Sequence, residues 1–190
     1  MLALTTGMRR GELLGLRWSD VDLGSRTYTV QQALQRVEGR LQVVPVKTKH
    51  SRRTGNLSSL AVAALERHYG QLQAHGVHPR SDGFVFTSTV GTPLEPRNVN
   101  LSFADLLKRA CLRPVRLHDL RHSFGSLLRA SGASLREVME LLGHSNINMT
   151  ASVYGHLVPA MKRQAIDRLD TLLSADTAGE AERQGPGVTR

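Results

Sequence analysis

The elements this sequence predicts are mostly helices with one small antiparallel β-sheet, an α+β arrangement, and three stretches carry the prediction. From Ser58 through Ala74 a run rich in alanine and leucine reads as a helix, with Ser58 or Ser59 as its N-cap. Leu117, Leu120, Phe124, Leu127 and Leu128 recur at helical spacing up to Ala130, with Gly132 as terminator. Residues 27–31 and 41–46 are rich in Val, Thr and Tyr and flank the turn candidate Glu38-Gly39, so they read as a hairpin.

The remaining elements follow in chain order. Met1 to Gly7 reads as the end of an apolar helix that Gly7 stops, so the first helix is expected to be truncated. A short helix follows, with Leu13, Leu14 and Leu16 on its packed face, Glu12 in its first turn and Arg9 at its entrance. A third strand is expected over 54–57, which leaves Lys47 in a turn-rich segment between strands two and three. Phe84 to Thr87 reads as a brief strand, and another helix follows Pro96. Ser134 and Glu137 form a capping-box pattern for a helix ending near Gly143, with His144 just past its end. Further helices are expected from Asn148 to Tyr154 and from Pro159 to about Leu173, the latter with Met161, Ala165, Ile166, Leu169 and Leu172 on one side. Residues 174–190, rich in Gly, Ala and charge, read as a disordered tail, and residues 1–173 as one domain.

Bulk properties narrow the function. The 190 residues hold 25 Lys plus Arg against 16 Asp plus Glu, a net charge of +9 that favours a polyanionic partner, nucleic acid above all. Apolar residues make up 40% of the chain, enough for a core. Cys111 is the only cysteine, so no intrachain disulfide can form and a cytoplasmic location fits best. No apolar run approaches the ~20 residues that span a membrane, and no export signal opens the chain.

The candidate site is dispersed: Arg9, Lys47, His118, Arg121, His144 and Tyr154. Together these describe phosphoryl transfer. A guanidinium offers paired donors that match the non-bridging oxygens of a phosphodiester and keeps its charge at any working pH, so Arg9 and Arg121 suit that task. Tyr154 is the candidate nucleophile, and the plain alternative for it is a half-buried core tyrosine. His118 and Arg121, three apart on one helix, share a face. Arg10, Arg17 and Arg52 read as solvated surface charges, and His50, His68, His75 and His78 as structural. His122 and His156 remain ambiguous between packing and support of the site. Zinc at His118, His122, His144 and His156 is disfavoured, because two arginines would stand beside a dication and no cysteine pair is present.

Thr6-Gly7-Met8-Arg9, Leu117 to His122, Leu141 to His144 and Val153 to His156 resemble the active-site boxes of the tyrosine recombinase (phage integrase) family. The resemblance runs from the first residues to about Leu173 and implies the mostly helical catalytic domain of that family with its small antiparallel sheet. It implies that Tyr154 joins a DNA 3′ phosphate and that Arg9 and Arg121 hold the equatorial oxygens. It further implies that His118 takes the phenolic proton or bonds the phosphate and that His144 donates to a phosphate oxygen. Lys47 would protonate the leaving 5′ oxygen, a role that passes to Lys49 if the register differs by two. Neither metal nor ATP nor any other cofactor is implied. The implied partner is double-stranded DNA, gripped by a homotetramer joined through the carboxy-terminal helix, and the family's usual amino-terminal DNA-binding domain is expected to be absent. Three functions stay open: a site-specific recombinase or integrase, a type IB topoisomerase-like nicking and rejoining enzyme, and a DNA-binding remnant without turnover.

Overall fold

A computed structural model of the chain describes residues 1–46 and 52–143. Helix α1 (Leu2–Thr6) stops at Gly7, whose φ of 60° lies in the left-handed region. Helix α2 (Arg10–Gly15) begins immediately after, with Arg9 as its extended N-cap. A 3-10 turn at Trp18–Asp20 leads into β1 (Val21–Asp22). Strands β2 (Thr27–Val30), β3 (Gln32–Val37), β4 (Arg40–Pro45) and β5 (Arg53–Asn56) complete the β layer.

The expected hairpin between 27–31 and 41–46 is corrected here. The two runs lie in different sheets: β2, from the first, lies between β1 and β5 in one antiparallel sheet, while β4, from the second, pairs with β3 in another. The switch occurs at Gln31, whose side-chain amide donates to Asp20 Oδ1 at 2.7 Å and whose carbonyl accepts Val46 N–H. Glu38-Gly39 is the turn, as expected, but of β3 and β4. Both residues have positive φ, 49° and 76°, the requirement of a two-residue type I′ hairpin.

Helix α3 (Ser59–Ala74) is capped by Ser58, whose hydroxyl accepts Ala61 N–H at 3.2 Å. The strand expected at Phe84–Thr87 consists only of isolated bridges, Arg17 with Phe84 and Thr87 with Pro93, because the chain turns at Ser88 before a ladder can extend. Helix α4 (Pro96–Arg109) starts with Pro96 in its first turn, where a missing N–H costs nothing. Helix α5 (Asp119–Ala130) begins two residues later than expected, with His118 as N-cap. The capping box of α6 (Leu135–Leu142) is present: Glu137 N–H donates to Ser134 Oγ at 3.2 Å and Ser134 N–H to Glu137 Oε2 at 2.6 Å.

One core joins Leu2, Met8, Leu13, Leu16, Tyr28, Val30, Leu57, Ala61, Leu65 and Val85. A smaller one joins Val138 and Leu142 to Phe124 and Leu128. Each fully buried aliphatic side chain contributes about 1.5–3 kcal/mol, so the first cluster is the main anchor of α1, α2, α3 and the three-stranded sheet. The helices expected at Asn148–Tyr154 and Pro159–Leu173, and the tail, lie outside the described residues. Among the described residues no helix is long and apolar enough to cross a membrane.

Candidate active site

Arg9 stands where Gly7 has just turned the chain out of α1. Its backbone N–H donates to Glu12 Oε2 at 2.9 Å, and its Nη1 donates to Glu12 Oε1 at 2.8 Å. Glu12 is buried at 3% exposure, whereas the Arg9 side chain is 41% exposed. One edge of the guanidinium is therefore fixed and the group borders an open cleft.

Glu12 has a second guanidinium. Arg53, at the start of β5, donates Nη2 to Oε2 at 2.8 Å and Nη1 to Oε1 at 3.3 Å. Burial pushes the Glu12 carboxyl up, but the hydrogen bond and charge of Arg53, with the backbone and side-chain bonds from Arg9, outweigh burial and hold it below its ordinary value. The carboxylate stays ionised.

Arg121 is held differently. It is buried, and its Nη1 donates to the Gly7 carbonyl and its Nη2 to the Leu142 carbonyl at 2.6 Å. Both carbonyls lie at helix C-termini, of α1 and α6, where carbonyls without intrahelical partners carry partial negative charge that suits a cation. Residues 114 apart in sequence thereby meet, and Arg121 is anchored two residues before Arg9.

His118 borders the same cleft as Arg9. The cleft encloses about 680 Å³ and is lined by Arg9, Arg10, Glu12, Asn100, Arg116 and His118 among others. Burial lowers the His118 pKa, and the nearby charges of His122, Arg121 and Arg116 lower it further against the opposing Asp119. The His118 and His122 rings meet edge to face with centroids 5.2 Å apart. Neutral at neutral pH, His118 has one nitrogen free to accept a proton. Arg116 and Asp119 form a paired contact at 2.9 Å that closes the turn before α5.

The structure thus brings Arg9 and His118 to one cleft, with Arg121 buried behind the same turn. Lys47, Lys49, His144 and Tyr154 lie outside the described residues. Arg10, expected as a plain surface charge, lines the cleft while remaining exposed. Arg17, expected the same way, is half-buried over the Phe84 ring at 5.9 Å, held there by the bridge between Arg17 and Phe84. His68 is structural: its Nε2 donates to the Val85 carbonyl at 2.7 Å while its ring stacks near Trp18 and Phe86.

Sequence reasoning missed the contacts that Glu12 makes with Arg9 and Arg53. For Glu12 a signal existed, since a carboxylate three residues after an N-cap reaches back to the cap N–H. For Arg53 the clue was strand alternation, which sets Arg53 and Gly55 inward and Thr54 and Asn56 outward.

Against known proteins, residues 1–161 match the pattern of the phage integrase family. The chain belongs to that family. Arg9, Lys47, His118, Arg121, His144 and Tyr154 all fall inside the matched residues. A relative named tyrosine recombinase XerC-like, from Caldanaerobacter subterraneus, is 34% identical over 189 residues, covering 90% of this chain and 48% of the relative. The ICEBs1 integrase of Bacillus subtilis is 32% identical over 177 residues, with coverage of 90% and 48%. The chain spans about half the length of these curated relatives. Among solved structures, the Tn1549 transposon integrase in complex with transposon right end DNA superposes with a TM-score of 0.74 at 26% identity, covering 89% of this chain and 57% of that one. XerA recombinase shares the fold at a TM-score of 0.66. Phage integrase family membership and these superpositions agree with the mostly helical α+β fold expected from sequence.

Proposed function

We propose that this chain is the catalytic domain, over residues 1–173, of a site-specific DNA recombinase that cuts and rejoins double-stranded DNA through a 3′-phosphotyrosyl intermediate. The observation that carries the reading is the convergence on one turn of two guanidinium groups fixed by different means, Arg9 by Glu12 and Arg121 by helix-terminal carbonyls, beside a neutral His118. Membership of the family and the likeness to an integrase in complex with DNA support it.

In the proposed reaction the Tyr154 oxygen attacks the scissile phosphorus and its proton passes to His118. Arg9, Arg121 and His144 hold the negative charge that builds on the equatorial oxygens. The bond from phosphorus to the 5′ oxygen breaks as Lys47 protonates that oxygen, and attack by a second 5′ hydroxyl reverses the steps. The phosphotyrosyl bond conserves the energy of the broken linkage, so neither ATP nor metal takes part. Four copies on DNA, joined through the carboxy-terminal helix in the cytoplasm, complete the reading, with residues 174–190 as a tail outside the catalytic unit.

The test is covalent capture on a duplex nicked near its recombination site. The wild-type chain is expected to yield an adduct that survives denaturing electrophoresis, and Tyr154→Phe none while binding the duplex nearly as well. An adduct from the Phe variant would sink the assignment of the nucleophile. Transfer of the captured strand to a second duplex distinguishes recombination from simple nicking and rejoining.

A further inference from the structure

Arg53 belongs to none of the segments that resemble family boxes, yet it grips the carboxylate that holds Arg9. Its side chain is 8% exposed and its ion pair with Glu12 is buried on both sides. The carboxylate that Arg53 grips is the same one that fixes the N–H and Nη1 of Arg9. On its other side the Arg53 charge acts on the Tyr28 hydroxyl, and that hydroxyl donates to the Thr6 carbonyl at 3.2 Å, next to the Gly7 carbonyl that receives Arg121. Room for this contact exists because residue 55 is glycine: a Cβ there would lie 2.5 Å from the Tyr28 oxygen. Arg53 also opens β5, the first strand after the segment that holds Lys47.

We propose that Arg53 is a positioning residue of the active site, which fixes Glu12 and through it the guanidinium of Arg9, and ties both to the strand that follows Lys47. The inference rests on the recombinase reading above for its catalytic consequence. A buried carboxylate with one half-exposed partner would sit loosely and hold its proton more readily, so Arg9 would lose the fixed geometry on which stabilisation of a transition state depends. Lysine cannot replace Arg53 fully, because a point charge does not span both Glu12 carboxylate oxygens at once as the guanidinium does.

Among the described residues, the groups facing the Glu12 carboxyl are Arg9 at the N-cap of α2 and Arg53 on β5, with Tyr28 on β2 and the Arg121 charge on α5 behind them. Removing Arg53 therefore takes away the strongest of the influences that oppose burial at that carboxyl. The acid limb of the rate should move to higher pH in Arg53→Met, a change that loss of packing alone would not produce.

The experiment compares single-turnover cleavage of a nicked duplex by wild type, Arg53→Met, Arg53→Lys, Glu12→Gln and the double variant Glu12→Gln/Arg53→Met. Loss of an outer group that orients an active-site ligand costs roughly 10- to 100-fold. Arg53→Met should slow cleavage on about that scale with DNA affinity little changed, Arg53→Lys should recover part of it, and the same substitution in the Glu12→Gln background should cost about threefold or less, since contacting residues are coupled. The double variant buries no unpaired charge, which keeps the test alive if Arg53→Met fails to fold. Equal losses in both backgrounds, or a loss confined to DNA affinity, would overturn the proposal. The side-chain NMR signal of Arg9, sharp in wild type and broadened in Arg53→Met, reads positioning without turnover. A wild-type chain that forms no adduct therefore counts against the recombinase reading alone, and an Arg9 signal unchanged by Arg53→Met counts against this one.

Discussion

Replacing Gly7 with alanine should damage both the fold and the site, by amounts that the structure separates. Gly7 has φ 60°, where an L side chain is strained, and a Cβ there would lie 2.4 Å from Phe124 Cδ1 and 2.8 Å from Leu142 Cδ2. The left-handed backbone costs about 1–2 kcal/mol for a residue with a Cβ. Overpacking of a filled core adds about 1–3 kcal/mol, so Gly7→Ala should lose ~2–5 kcal/mol of a stability that is commonly about 5–15 kcal/mol. Urea unfolding followed by the fluorescence of Trp18, the sole tryptophan, measures this directly. With a slope near ~2 kcal/mol/M the midpoint should fall by about 1–2.5 M. Gly39→Ala is the control, because Gly39 has φ 76° and nothing within 4 Å of its would-be Cβ, so it should show the backbone cost alone. The clash also bears on Arg121, since Leu142 supplies one of its acceptors and Gly7 the other. Cleavage by the folded variant should accordingly fall further than its folded fraction. If Gly7→Ala unfolds at the same urea concentration as Gly39→Ala, the packing argument is wrong.

Two further outcomes follow from the site. Lys47→Ala should be rescued by a substrate with sulfur at the leaving 5′ position, which needs little protonation; rescue of Lys49→Ala in its place would move the role by two residues, and rescue of neither would remove it from both. Because burial and neighbouring cations lower the His118 pKa from its ordinary 6.5, the proton-accepting form persists to more acid pH, so the acid limb of cleavage assigned to His118 should have its midpoint below 6.5 and vanish in His118→Gln. The same shift has a stability sign. Between the lowered folded value and 6.5 the unfolded chain binds more protons, so stability from this group is complete above 6.5 and is lost as pH falls through the folded value. A rate limb centred above 6.5 would refute the environment described for His118.

Local signals were the legible ones. Ser58, Ser134 with Glu137, and Gly7 each satisfy or end a helix through groups within a few residues, so the sequence alone placed α3, α6 and the end of α1. The division of 27–37 into β2 and β3 was not legible, because Gln32, Gln35 and Arg36 lack strand-favouring side chains and the break at Gln31 depends on Asp20, eleven residues away. Arg9, His118 and Arg121 could be proposed from sequence because their boxes are contiguous. Glu12 and Arg53 meet across 41 residues, and Arg53 gains its meaning only once β5 lies beside β2.

The two arginines of the site differ in a way that bears on how the charge is used. Glu12 carries one negative charge and is shared by Arg9 and Arg53, so that group of three keeps a net charge of +1 in a partly dry setting. Arg121 is fixed in the described residues through carbonyl dipoles, which orient a guanidinium without cancelling its charge. Positive charge fixed in direction before substrate arrives is what the proposed stabilisation of a five-coordinate phosphorus requires. The means of fixing also divide the risk. Among the described residues Arg121 is held by backbone carbonyls, which no side-chain substitution deletes. Arg9 depends on one ionised side chain, so its geometry is open to change by pH or by mutation at Glu12 and Arg53 while Arg121 stays in place.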